Sequence, residues 1–224
     1  MATRARSRRP AANRSEPDPA AEGLGSRLRV AREQTGISVR ELARRVGVSA
    51  SHVSQMERHL VMPSVGTLYS IANELGLMVD DLLFREGAGG AARKAARRPA
   101  ARTARKVVQR HDRRQAIRLA AGVRWEQLSP APDESVEFLY VVYEAGGASC
   151  DEGTLIRHGG REYAYILSGR LGVRVGADEY ELGPGDSLTF DAQRPHRLWN
   201  AGDEPAIAIW VVVNRGDDRR RVAA

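Results

Sequence analysis

His158, Glu162 and His196 are the residues whose types and spacing could do chemistry. His158 and Glu162 flank a Gly159-Gly160 pair that leads into the alternating run Glu162–Leu167, which ends at Ser168-Gly169-Arg170. Far downstream, Gly185-Asp186 precedes Pro195-His196, with Asn200 four positions on. Side chains two apart on a strand share a face. Glu162, Ala164 and Ile166 therefore lie together, as do Ile156 with His158 and His196 with Leu198 and Asn200. Where such faces look into one barrel, two imidazoles and a carboxylate converge, the donor set suited to Fe, Mn or Zn.

The segment that must position them starts near Lys106. Val136–Tyr143, Glu162–Leu167, Leu171–Val175, Ser187–Phe190 and Ile207–Val213 are β-favouring runs, punctuated by Gly146-Gly147, Ser168-Gly169, Gly183–Asp186 and Ala201–Asp203. Many short strands at regular intervals predict an all-β sandwich or barrel over 106–216, with 217–224 as a tail.

The amino-terminal part has a different texture. Ser38 followed by Glu41 reads as a capping box, hydroxyl and carboxylate each meeting a free amide. Leu42, Ala43 and Val46 form an apolar stripe at helical spacing. Gly47 supplies a turn at positive φ, and Ser49 caps a second helix whose Val53 and Met56 point back at the first. Leu24–Thr35 reads as a preceding helix stopped by Gly36. Pro63-Ser64 opens another that carries Leu68, Ile71, Ala72 and Leu75 to Gly76, and about Val79–Leu83 forms a fifth. Two short helices crossing at a tight turn place the start of the second where a DNA major groove can receive it.

Leu24 to Leu83 resembles the DNA-binding domain of the phage-repressor/Cro-like (XRE) family. The likeness rests on Leu28-Arg29, Glu41-Leu42-Ala43, Gly47-Val48-Ser49, Val53-Ser54, Glu57-Arg58, Pro63-Ser64 and Leu68. His59 departs from it, standing where that family usually has glycine. The resemblance implies a five-helix lambda-repressor-like fold. It makes Ala50, Ser51, His52 and Gln55 base-facing, and Arg40, Arg44, Ser49 and Arg58 candidates for phosphate contacts. A solvated helix face is the plain alternative for each arginine. Gln55 can bind adenine bidentately, and Ala50 can meet a thymine methyl. Glu57 reads as structural, a partner for Arg29.

Residues 136 to 213 resemble the cupin family, a double-stranded β-helix barrel. The first motif, His-x-His-x-x-x-Glu, reads here Ile156-Arg157-His158-Gly-Gly-Arg-Glu162. The second, a Gly-Asp turn and then Pro-His, reads Gly185-Asp186 through Pro195-His196 to Asn200. Ile156 stands where a metal-binding cupin has its first histidine, and isoleucine cannot ligate. Three readings stay open: an effector pocket of Ile156, His158, Glu162, His196 and Asn200 with no obligatory metal; a divalent metal (Zn, Fe or Mn) on His158, Glu162 and His196; or polar residues satisfied inside a barrel.

The 224 residues carry a net charge of +7, and nearly all the positive charge is arginine. That favours a polyanionic partner, and the arginine fork suits phosphate and guanine edges. GC-rich codon bias explains the arginine preference about as well. Residues 85–105 form a basic low-complexity linker between the α and the all-β domain. It is either a solvated spacer or an arm that follows DNA phosphates. Residues 1–23 read as a disordered basic tail, and 24–84 as the DNA-binding domain. Cys150, the single cysteine, permits no intrachain disulfide. It reads as a small, partly buried residue in a reducing compartment, with a redox sensor as the rarer alternative. No apolar run approaches the roughly 20 residues that span a bilayer.

These readings together describe a bacterial, cytoplasmic regulator. It would bind double-stranded DNA as a homodimer, and its barrel would sense a small molecule. A mononuclear metal-dependent oxygenase or isomerase with an accessory helix-turn-helix is the rival, and an antitoxin-like binding partner a third reading.

Overall fold

The computed structural model describes residues 19–83, 107–131, 133 and 135–213. The basic linker at 85–105, the C-terminal tail at 217–224 and most of the tail expected at 1–23 lie outside the described residues.

Five helices come first: α1 (Pro19–Gln34), α2 (Val39–Val46), α3 (Ala50–Glu57), α4 (Val65–Leu75) and α5 (Val79–Leu83). Helix α1 begins at Pro19 rather than Leu24. Proline's fixed φ suits a first helical turn, where its missing amide costs nothing. Ser38, Ser49 and Ser64 cap α2, α3 and α4, each accepting a hydrogen bond from the amide three residues on. Such a cap contributes about 1 kcal/mol. The box at Ser38 is half-formed: its hydroxyl accepts from the Glu41 amide, but the Glu41 carboxylate accepts from Arg44 and Arg45 instead of reaching back. Gly47 and Gly76 close α2 and α4 in the left-handed region.

Leu28, Leu42, Val53, Leu68 and Ile71 fill the helical core. At Gly25 a Cβ would fall 2.3 Å from the Met56 carbonyl oxygen, so α1 can pass the end of α3 only with hydrogen there. The partner of Glu57 is Arg32, not Arg29, which pairs with Glu33 on the exposed side of α1.

Nine strands follow: β1 (Ala116–Leu119), β2 (Val123–Gln127), β3 (Val136–Tyr143), β4 (Arg161–Ser168), β5 (Leu171–Val175), β6 (Asp178–Leu182), β7 (Ser187–Asp191), β8 (His196–Asn200) and β9 (Ala206–Val213). They form a six-stranded sheet in the order β1-β2-β3-β9-β4-β7 and a three-stranded sheet in the order β6-β5-β8. The strand pairs are antiparallel. Alternation fixes the inward faces. Glu162, Ala164 and Ile166 are buried on β4, and His196, Leu198 and Asn200 on β8.

The two domains touch through α4, the residues before it and α5, and α1 packs against β1. The Gly66 amide donates to the Ser149 carbonyl at 2.9 Å, and the Ala120 amide to the Pro63 carbonyl at 2.9 Å. The Gln127 side-chain amide donates to Asp80 at 3.4 Å. Among the described residues no helix is long and apolar enough to cross a membrane.

Candidate functional site

Two places gather the residues singled out by sequence. The first is the outer side of α3. Burial of Val53 and Met56 against the other helices leaves Ser51 exposed and Ala50, His52 and Gln55 half-exposed on one side. Arg40, Arg44, Ser49 and Arg58 are exposed around it. Some of their polar groups are already engaged. The Ser49 hydroxyl accepts from the His52 amide, Arg44 donates twice to Glu41, and Arg58 donates to the Ser54 carbonyl. The amino ends of α2 and α3 carry free backbone amides, which favour phosphate.

Arg32 holds this helix in place. Its guanidinium donates to both oxygens of Glu57 and to the Ile37 carbonyl, so one side chain ties α1, α3 and the end of the α1–α2 connection together. His59 follows directly at φ 61°, the left-handed conformation that explains a glycine preference there.

The second place lies between the two sheets. His158, from the loop before β4, Glu162 on β4 and His196 on β8 are all buried, and their ligand atoms lie within 4.8 Å of one another. His158 Nδ1 donates to the Gly159 carbonyl at 3.0 Å, and His196 Nδ1 to the Arg194 carbonyl at 2.9 Å. A carbonyl only accepts, so each neutral ring carries its proton on Nδ1 and turns the Nε2 lone pair inward.

The two Nε2 atoms approach the same Glu162 oxygen, at 2.7 and 3.2 Å, yet neither makes a hydrogen bond of proper geometry among the described residues. The other Glu162 oxygen accepts from Trp210 Nε1 at 2.9 Å, which fixes the carboxylate. Burial pushes the Glu162 carboxyl up, and the opposing pull of His158 and then His196 acts only through rings that carry a proton on Nε2, which the inward lone pairs of the neutral form do not supply. Two inward lone pairs and a pinned carboxylate fit a divalent cation, with coordination positions left open.

Ile156 also lines this pocket. Its backbone exchanges hydrogen bonds with His196 at 2.9 and 3.0 Å. Asn200 does not join them. Its amide donates to the Tyr143 and Glu204 carbonyls and its oxygen accepts from the Gly202 amide, which makes it a clamp on the β8–β9 turn. Sequence reasoning missed Tyr69. This α4 residue enters the pocket from the helical domain and stacks on His158, ring centroids 3.8 Å apart and planes 16° from parallel. Cys150 is buried, its thiol donating to the Thr154 carbonyl, and burial pushes its pKa up. That is the opposite of an activated thiolate.

Comparison with known proteins agrees with this division. The helix-turn-helix domain profile matches residues 23–83, and the cupin domain profile matches 139–212. The HTH-type transcriptional regulator PuuR of Escherichia coli is 26% identical over 183 residues, covering 80% of this chain and 89% of that protein. An uncharacterized HTH-type transcriptional regulator, y4dL of Sinorhizobium fredii, is 41% identical over 58 residues, 26% of this chain and 30% of its own. Among solved structures, an HTH_3 family transcriptional regulator from Vibrio cholerae shares the fold at TM-score 0.58 and 19% identity, covering 87% of this chain and 96% of that one. The chain therefore joins an XRE-type helix-turn-helix domain to a C-terminal cupin domain.

Proposed function

We propose that the chain is a sequence-specific DNA-binding transcriptional regulator whose cupin domain receives a small-molecule effector. The observation that carries this reading is the exposed side of α3. Ser51 is exposed and Ala50, His52 and Gln55 are half-exposed on a short helix braced from behind by Arg32–Glu57, as base readout requires. PuuR, similar across both domains, is named a transcriptional regulator, which supports the reading over a metal-dependent enzyme. The protein works in the bacterial cytoplasm as a homodimer on a pseudo-palindrome, with half-sites about one helical turn apart. Repression is its default action, because a compact helix-turn-helix needs only to occlude a promoter.

Ala50, Ser51, His52 and Gln55 face bases, while Arg40, Arg44, Ser49 and Arg58 meet phosphates. The basic run 85–105 adds an arm along the DNA backbone. In the pocket, His158, Glu162 and His196 hold a divalent Zn, Fe or Mn ion where one is bound. Such an ion would supply a Lewis-acidic contact for a polar effector. Without it, the same three residues offer two hydrogen-bond acceptors and a carboxylate directly.

Footprinting across the protein's own promoter region at modest ionic strength tests the reading. A protected tract of two half-sites is the expected result, and an unprotected promoter overturns it. Deleting residues 91–105 flattens the slope of log affinity against log salt, by about 0.9 for each phosphate no longer neutralised.

A further inference from the structure

We propose that the cupin pocket is a two-domain site, closed by Tyr69 of the DNA-binding domain, so that an organic occupant enters only when α4 lifts off the β domain. This deepens the effector reading above and rests on it.

The space beside His158, Glu162 and His196 is only about 20 Å³ with Tyr69 in place. A single water needs roughly 10–15 Å³, so the closed pocket admits one water or one ion and nothing larger. Val65 and Tyr69 of α4 line it together with β-domain residues that include Trp125 and Trp210. The Tyr69 ring covers His158, and its hydroxyl donates to the buried Glu137 at 3.2 Å. Tyr69 cannot swing aside into solvent on its own, because it is only 4% exposed between α4 and the β domain.

Helix α4 cannot deform to release it either. Leu68, Ile71, Ala72 and Leu75 are buried on the same helix, and a packed core moves as a unit. Displacing Tyr69 therefore displaces the helical domain.

The residue that departs from the metal-binding cupin pattern belongs to this contact. A Cβ on Gly66 would fall 2.4 Å from Ile156 Cγ2, 3.4 Å from Cys150 Cβ and 3.6 Å from the Ser149 carbonyl oxygen. Helix α4 thus rests on Ile156 through a glycine. The position that would hold a ligating histidine serves instead as an apolar pad between domains. Pocket occupancy and domain position are then one equilibrium, which a ligand shifts only through its different affinity for the two arrangements.

Gly66→Leu is the decisive variant. The three atoms nearest a Cβ at this position all belong to the β domain, and replacing glycine in α4 favours the helix, so the wedge pushes first on the β domain. Tyr69→Ala removes the lid directly. In the full-length chain kept metal-free with EDTA, iodoacetamide reports on Cys150, and diethyl pyrocarbonate followed by peptide mass spectrometry reports on His158 and His196. Both variants should react at least tenfold faster than the unaltered chain at His158 and His196, and Gly66→Leu at Cys150 as well, with β9 amides as slow to exchange as before.

Faster Cys150 alkylation with both histidines still protected would overturn the lid, as would unchanged rates in both variants. Accelerated exchange in β9 would overturn it too, because the β domain would then depend on docking for its fold. A chain that opens as described but ignores its promoter sinks only the regulator reading.

Discussion

Arg32 and Glu57 form a bidentate pair between α1 and α3, Nε to Oε1 at 2.5 Å and Nη2 to Oε2 at 3.1 Å, with both side chains nearly out of solvent. Removing the cation alone leaves a carboxylate in a dry setting, which is worse than removing the whole pair. Arg32→Ala should destabilise the helical domain by about 3 kcal/mol. Arg32→Lys should recover only part of it, because an ammonium lacks the planar fork. Urea unfolding followed by the helical signal checks both. Equal stability in Arg32→Ala and the unaltered chain would show that the pair is not structural.

His59 occupies a left-handed conformation, φ 61°, one residue beyond the Arg58 C-cap of α3. A side chain there costs about 1–2 kcal/mol that glycine does not incur. The contact between its Nε2 and the Ser26 hydroxyl, 3.1 Å, is exposed and offsets little. His59→Gly should therefore stabilise the helical domain by about 1 kcal/mol. A lower urea midpoint in that variant would mean that the contacts of His59 outweigh its backbone.

Gln55 and Arg44 separate readout from attraction. Gln55→Ala should cost about 1–3 kcal/mol on the cognate site and relax preference at one base pair. Arg44→Ala should weaken every sequence alike and reduce the salt slope by about 1. Binding titrations on the operator and on single-base variants distinguish them. An unchanged sequence preference in Gln55→Ala would remove α3 from the bases.

Glu41 accepts from Arg44 and then Arg45, and these hydrogen bonds hold its carboxyl down to about 2 from an ordinary value of 4.5. A depressed folded pKa gives stabilisation that is complete above the ordinary value and disappears as pH falls towards about 2. Glu41→Gln should flatten the decline of Tm between about pH 5 and pH 2. The difference should shrink in about 1 M salt, because the pair is exposed. Parallel melting curves for the two proteins would exclude the pair from acid unfolding.

Elements with local signals were legible. The serine caps and closing glycines marked α2, α3 and α4, and the runs Val136–Tyr143 and Leu171–Val175 coincide with β3 and β5. The strand β6, Asp178–Leu182, has exposed residues on both faces and no apolar alternation to betray it. β2 mixes Arg124 and Glu126 with Val123 and Trp125, which hides its pleat. Sequence pairs Glu57 with Arg29 rather than Arg32 because the two arginines stand one helical turn apart, and only packing chooses between them. Alternation within β4 and β8 could place Glu162 and His196 on inward faces, whereas His158 sits on the loop before β4 and owes its place to the turn rather than to a pleat. Tyr69 could not be placed. Nothing along the sequence near α4 says that its aromatic ring lies on the far-downstream imidazole of His158, since that contact is set by how two separate domains meet.

Ile156→His supplies the donor that the cupin pattern lacks, at a position whose backbone is already bonded to His196. Its imidazole would enter the pocket beside His158 and Glu162, completing a four-residue set. Loaded with Mn or Zn and desalted, this variant should retain more metal per chain than the unaltered protein, and Glu162→Gln should bind it at least tenfold more weakly than either. Replacing the Ile156 side chain also takes away the pad beneath Gly66, so Ile156→Val, which keeps an apolar surface and adds no donor, is the control. Equal metal content in Ile156→His and Ile156→Val would show that a side chain at 156 does not reach the ion, and no retained metal in either would show that the lone pairs of His158 and His196 do not converge on one.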